Sequence, residues 1–318
     1  MKSTTLSRRK MLAGLGAIAG AAVLPVHAAG ITPSAKEAAP ETDGAFTYCL
    51  NTSTLMGQQQ GIVKDIETAA EAGFDGVEIW INALTQYREE GGKLADLRKR
   101  TEDLGIRIEN AIGFAPWIVD DNDTRMRALE QAKREMDMLA QVGCPRLAAP
   151  PAGATDTPGL NLDAAAERFR ALVELGVSMD VIPQLEIWGF SKNLYRLSQV
   201  LYVAAECGHP QTRILPDVYH LYKGGSDFDG LKLLSGPAVE IFHLNDYPAD
   251  PPRESIQDKD RVYPGDGVAP ISSILDNLKR GGGTTILSLE LFNREYWAQD
   301  ALTVAKRGLE RMKGVVGE

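Results

Sequence analysis

The sequence predicts an α/β fold, a (β/α)8 TIM barrel. From residue 45 onward, short β-rich runs alternate with amphipathic helical stretches eight times over about 270 residues. Each helix has to carry the chain back across the sheet, so repeated strand–helix units imply parallel strands. The competing architecture is a doubly wound open sheet. No G-x-G-x-x-G follows the first strand and no Walker loop occurs, so a nucleotide cofactor has no support.

The elements follow in order. Phe46 to Thr54 reads as a strand, and Gly61 to Gly73 as a helix ending on glycine. Phe74 to Trp80 and Lys93 to Gly105 make the second unit. Arg107 to Phe114 and a long helix from about Asn122 to Gly143 make the third. Cys144 to Pro150 with Leu162 to Leu175 is the fourth, and Ile182 to Trp188 with Asn193 to Gly208 the fifth. Ile214 to Tyr219 precedes a short helix near Asp229 to Leu234. Val239 to Leu244 leads through a long polar loop into Pro270 to Lys279. Thr285 to Phe292 and Tyr296 to Met312 close the series.

Residues 1–29 read as an export signal. Ser7-Arg8-Arg9-Lys10-Met11-Leu12 is a twin-arginine pattern, the apolar run ends at Leu24, and Val26-His27-Ala28 suits signal cleavage. The run falls short of the ~20 residues of a membrane span, so no stable membrane anchor is expected. The twin-arginine translocase is the expected export partner, and the periplasm or exterior the destination. Residues 30–44, rich in Pro, Ala and Glu, read as a flexible linker, and 45–318 as the barrel. Cleavage removes Lys2, Arg8, Arg9 and Lys10 and no acid, so the net charge of −9 becomes −13. That acidity argues against a nucleic-acid partner. Cys49, Cys144 and Cys207 are too few and too scattered to read as a disulfide framework.

Catalytic groups in such a barrel come from the C-terminal ends of the strands. Four consecutive strands carry ionisable residues there: Gln184-Leu185-Glu186-Ile187-Trp188, Leu215-Pro216-Asp217-Val218-Tyr219-His220, Ile241-Phe242-His243-Leu244-Asn245-Asp246 and Ser288-Leu289-Glu290-Leu291-Phe292. A carboxylate in a buried apolar strand is costly unless it is paired or binds a metal. Three carboxylates and one imidazole at one mouth suit a single divalent ion, manganese ranked first, with magnesium, cobalt or zinc as alternatives.

The series Glu…Asp-x-x-His…His-Leu-Asn-Asp…Glu resembles the xylose-isomerase-like TIM-barrel superfamily over roughly residues 45–315. The resemblance implies that Glu186, Asp217, His243 and Glu290 bind the metal. It also implies that Glu186 and Glu290 act as the acid/base pair and that His220 contacts substrate oxygens. Glu78, in Gly76-Val77-Glu78-Ile79, matches a Glu that the family often places on strand two. The endonuclease branch of the superfamily needs three metals and further histidines. Here its Asp-Arg-His triplet reads Asp260-Arg261-Val262, and no His lies between Ala28 and Cys207. That branch is therefore set aside.

The expected activity is a divalent-metal-dependent isomerase or epimerase of a sugar or keto-sugar, with Glu-mediated proton transfer through a metal-stabilised enediolate. The alternative is a dehydratase or other lyase using the same site on a keto-sugar or keto-cyclitol. A non-catalytic exported sugar-binding barrel ranks third. The expected partner is a small carbohydrate, and self-association through the outer helices stays open. Expected substrate contacts are Glu78, Trp188, His220, Asp246 and Arg253. Phe114, Trp117 and Tyr247 are further candidates for an aromatic wall, and Arg261 and Lys192 for polar contacts.

Overall fold

The structure, a computed structural model, describes residues 45–318. The expected export signal and linker lie outside them. The strands are β1 (Phe46–Asn51), β2 (Gly76–Trp80), β3 (Arg107–Ile112), β4 (Arg146–Ala149), β5 (Ile182–Glu186), β6 (Arg213–Leu215), β7 (Ile241–His243) and β8 (Thr285–Leu289). They form one eight-stranded sheet in the order β6-β5-β4-β3-β2-β1-β8-β7, every pairing parallel. The ring closes between β6 and β7 through a parallel bridge of Asp217 with His243, where the His243 N–H donates to the Pro216 carbonyl at 3.0 Å. Two expected metal ligands therefore form the seam.

Helices α1 (Ile62–Ala72), α2 (Ile81–Glu89), α3 (Leu94–Leu104), α4 (Asn122–Val142), α5 (Leu162–Ser178), α6 (Leu197–Cys207), α7 (Val218–Gly224), α8 (Ile271–Gly281), α9 (Arg294–Trp297) and α10 (Ala301–Val316) surround the ring. None among the described residues is long and apolar enough to cross a membrane. The barrel interior is filled by Cys49, Ile112, Ala148, Leu215, Ile241 and Ile286, with Trp80 over them. Alternate strand residues such as Leu50, Val77, Leu185 and Leu289 point outward to the helices.

Several boundaries differ from expectation, each for a local reason. The first strand stops at Asn51, whose side-chain oxygen accepts the Ser53 N–H and starts a 3-10 turn over Thr52–Gln58. The sixth strand, expected to run to Tyr219, ends at Leu215. Pro216 follows, and Asp217 caps α7 by accepting the His220 N–H at 2.8 Å. His220 consequently sits in a helical turn. The short helix near Asp229 is a 3-10 turn, Phe228–Leu233. The last expected helix is broken in two because Asp300 caps a fresh start at Ala301. Helix α2 begins directly after β2 and carries little sequence signal, since Ile81 and Leu84 are its only buried residues.

Candidate metal centre at the barrel mouth

Glu186 ends β5, Asp217 follows β6, His243 ends β7 and Glu290 follows β8. All four lie at C-terminal strand ends, and all are buried. Asp217, His243 and Glu290 each present a ligand atom within 4.8 Å of the others. His243 Nδ1 stands 3.2 Å from Glu290 Oε2 and 3.6 Å from Asp217 Oδ2, yet makes no hydrogen bond. Its other nitrogen, Nε2, lies 3.0 Å from the Glu78 carboxylate. Glu78 thereby orients the ring and aims Nδ1 at the two acids, the usual outer support of a metal-binding imidazole. Burial disfavours a charge on His243, but the Glu290 and Glu78 carboxylates outweigh it and hold its pKa well above the ordinary imidazole value. The cluster calls for positive charge at Nδ1.

Glu186 stands slightly apart, outside that tight group, with Oε2 buried and without a partner. Burial pushes its carboxyl up to about 8, against the pull of His243 and a hydrogen bond from Trp188. Glu290 goes the other way. Burial would raise it, but His243 and Arg261 hold it below the usual carboxylate range. Its Oε1 accepts from Asn51 at 3.2 Å and its Oε2 from Arg261 at 2.7 Å. Two orphaned buried atoms, His243 Nδ1 and Glu186 Oε2, beside a hard oxygen donor set fit a divalent cation.

Arg261, a candidate polar contact from the sequence, proves to be the buried cation of the cluster. It is 1% exposed, with Nη1 donating to Asp217 at 3.1 Å as well as to Glu290, and Nη2 donating to Asp258. Its guanidinium carbon lies 4.4 Å from the Tyr219 ring centroid and 5.1 Å from that of Phe292. It is buried because the loop after β7 folds back, pairing Asp246 with Val262 in an antiparallel bridge. His220 lines the mouth with Nε2 at 3.1 Å from Arg261 Nη2, and burial lowers its pKa. Asn245, not singled out from the sequence, donates to Asp217 Oδ2 at 2.9 Å.

Three expected substrate contacts stand elsewhere. Glu78 is fully buried behind His243, where it also accepts from Asn51 (2.7 Å), Asn110 (2.6 Å) and Ser288 (2.7 Å), so all its contacts are to protein groups. Asp246 spends both oxygens on backbone N–H groups: Tyr247 and Ala269 at one, Gly265 and Gly267 at the other. It shapes the loop. Arg253 is exposed and belongs to a neighbouring cleft with Lys192. Trp188 does line the mouth, a cavity of about 200 Å³, together with Trp80, Phe114, Phe190 and Phe292. These five rings form a continuous chain, with neighbouring centroids 5.2–6.0 Å apart. Trp117 and Tyr247 are buried packing, against Phe169 and Tyr222 respectively. Trp80, ending β2, and Phe292, two residues after Glu290, were legible by the strand-end rule that picked out the buried acids.

The model of the xylose isomerase-like TIM barrel family matches residues 66–314. The chain belongs to that family. Inosose isomerase of Bacillus velezensis is 26% identical over 277 residues, covering 85% of this chain and 97% of that protein. The 3-dehydroshikimate dehydratase of Pseudomonas putida is 24% identical over 252 residues, 78% of this chain but 38% of that longer protein. A solved structure of the IolI protein with a bound zinc atom superposes with a TM-score of 0.79 at 22% identity, covering 85% of this chain and 98% of its own. The family's members thus include isomerases and dehydratases, and the divalent-metal expectation agrees with the buried Asp217–His243–Glu290 group.

Proposed function

We propose that the protein is a divalent-metal-dependent isomerase or epimerase of a hydroxy-carbonyl carbohydrate or cyclitol. The observation that carries this reading is the buried Asp217–His243–Glu290 group, with Glu186 beside it, opening onto an aromatic mouth. Glu186 keeps a free oxygen and a carboxyl pushed up to about 8, whereas Glu290 is doubly hydrogen-bonded and held ionised. Two carboxyl groups driven apart in this way divide the roles of acid and base. Asp217, His243, Glu290 and, at the rim, Glu186 would hold the ion, whose chemistry is to polarise the carbonyl oxygen beside the carbon that loses its proton.

The chain's own residues do the rest. The Glu290 carboxylate takes the proton from that carbon, and the Glu186 carboxyl returns one. Arg261 and His220 hold the charge that develops on oxygen. Trp80, Phe114, Trp188, Phe190 and Phe292 give the substrate an apolar surface to stack on. That aromatic mouth also suits a flat cyclic ketone, which favours elimination as the second reading: the Glu186 proton would then go to a departing β-hydroxyl. The export reading belongs to the same proposal, with Arg8-Arg9 delivering the enzyme to the periplasm or exterior.

The deciding experiment is proton NMR in D₂O with keto-cyclitols and keto-sugars, under manganese, cobalt, zinc and magnesium in turn. Deuterium entering at the carbon next to the carbonyl is expected, and it should be lost in Glu290→Gln. No exchange and no elimination with any compound under any of the four metals would sink the proposal.

A further inference from the structure

A second cleft of about 750 Å³ opens beside the mouth, and Phe190 lines both. Its wall carries Lys192, Arg196, Lys223 and Arg253 against one acid, Glu254, on a chain of net charge −9. Lys223 is spoken for: its Nζ donates to the backbone carbonyls of Arg253 (3.1 Å), Glu254 (3.0 Å) and Ile256 (2.9 Å), tying the loop after β7 to α7. Arg196 and Arg253 differ. Both are exposed, and neither makes an ion pair among the described residues; Arg196 lies 5.6 Å from the Tyr195 ring centroid and Arg253 5.9 Å from that of Tyr222.

Their guanidinium groups converge. A methyl group on Gly225 would lie 3.7 Å from Arg253 Nη1 and 3.9 Å from Arg196 Nη2. Two like charges aimed at one spot repel unless an anion occupies it. Gly225 has φ +74°, the left-handed conformation that ends α7, so the chain keeps a glycine there and the space stays open. The floor is rigid as well. A methyl on Gly224 would overlap the Tyr195 carbonyl, and one on Gly189 the His220 carbonyl. The loop after β5 and helix α7 therefore touch backbone to backbone. Asn193 pins that loop further by donating to the carbonyls of Ala154 (2.6 Å) and Thr157 (2.7 Å).

We propose that this cleft is an oxyanion-binding site in which Arg196 and Arg253 clamp a carboxylate or phosphate, with Lys192 at the rim. Guanidinium groups match both anions bidentately, and a basic cleft on an acidic surface concentrates anions there. The Phe190 ring stands 5.6 Å from His220 and 5.2 Å from Trp188, between the cleft and the catalytic mouth. Because Phe190 is a wall of both, the proposal assigns the anionic group to the substrate, whose remainder would lie in the mouth. That last step rests on the isomerase reading; the anion site does not.

The experiment is calorimetric titration of the protein with inorganic phosphate and, separately, malonate, at an ionic strength fixed with chloride. Saturable binding of at least one anion is expected, and the tighter of the two names the group. Arg196→Gln with Arg253→Gln should weaken it roughly tenfold or more with an unchanged circular-dichroism spectrum, because both side chains are exposed. Glu254→Gln should move affinity the other way, by about two- to threefold. No saturation by either anion, or wild-type affinity in the double variant, overturns the site. Saturable anion binding by a wild-type protein that exchanges no deuterium into any compound counts against the catalytic reading alone.

Discussion

Replacing Glu78 by Gln tests whether the metal centre depends on a carboxylate that never touches the ion. The wild-type side chain collects four donors or potential donors: Asn51, Asn110, Ser288 and the Nε2 of His243. Glutamine keeps the volume but turns one oxygen into an NH₂. At least one of those contacts then sets donor against donor, costing about 1–3 kcal/mol for the group left unsatisfied. The second effect falls on His243. Without the carboxylate its ring loses the partner that fixes Nδ1 toward Asp217 and Glu290 and raises its basicity. Loss of such support costs about 10–100-fold in metal affinity, or about 1.4–2.8 kcal/mol at 1.4 kcal/mol per decade.

The assay is competition between the protein and a chelating dye for manganese and for zinc, with melting temperature followed in parallel. Ser288→Ala is the control, since it removes one donor to Glu78 and leaves the imidazole contact in place; its metal affinity should fall only a few-fold. A Glu78→Gln protein that melts cooperatively and binds both metals as tightly as wild type refutes the reasoning, because His243 would then be oriented by something else.

Three other outcomes are expected. Asp65, pushed up to about 6 by burial against a hydrogen bond from Gln60, stabilises the fold when protonated and loses that contribution as pH rises through about 6. Asp65→Asn should therefore melt higher than wild type at pH 8, by about 1–2 kcal/mol after solvent screening, with the gain gone at pH 4; a constant difference across that range contradicts the assignment. Arg261→Met leaves Asp217 and Glu290 without their shared cation and should cost about 3–5 kcal/mol in a chelator-treated denaturant melt, part of it regained on adding manganese. Equal stability with and without the ion would argue against a charge cluster there. Gly224→Ala puts a methyl on the Tyr195 carbonyl and should lower the melting temperature while weakening phosphate binding in the basic cleft.

The barrel was legible because strand–helix alternation is a period that survives in sequence. The buried cluster at the mouth was legible because an acid at the end of an apolar strand is too costly to bury without a cation or a hydrogen-bonding partner. What stayed hidden depended on chain reversal or on side chains that meet from distant strands. Arg261 reads as a loop charge until the Asp246–Val262 bridge turns the loop inward. Glu78 lies on an apolar strand like the other strand-end acids, and nothing in its neighbours reveals that Asn51, Asn110 and Ser288 converge on it from three other strands. The end of β6 was misplaced because Asp217 caps α7 while its other oxygen joins the buried cluster, and a hydrophobic pattern cannot report a cap.

That double duty has a consequence for how the site is held. Asp217 Oδ1 is fixed by the His220 N–H, while Oδ2 accepts from Asn245 and Arg261, and the same residue's backbone pairs with His243 to close the ring. Its carboxylate cannot rotate without uncapping α7, and α7 cannot shift without moving His220 and the Gly189 contact that floors the basic cleft. The seam of the barrel, the Asp217–His243–Glu290 group and the wall of the cleft are thus one mechanical unit. A barrel closed by only three-residue strands at β6 and β7 gains its rigidity there from the polar site itself. The Asp217–Arg261–Glu290 cluster is accordingly part of the fold as well as of the chemistry, and substitutions in it should never be read from activity alone.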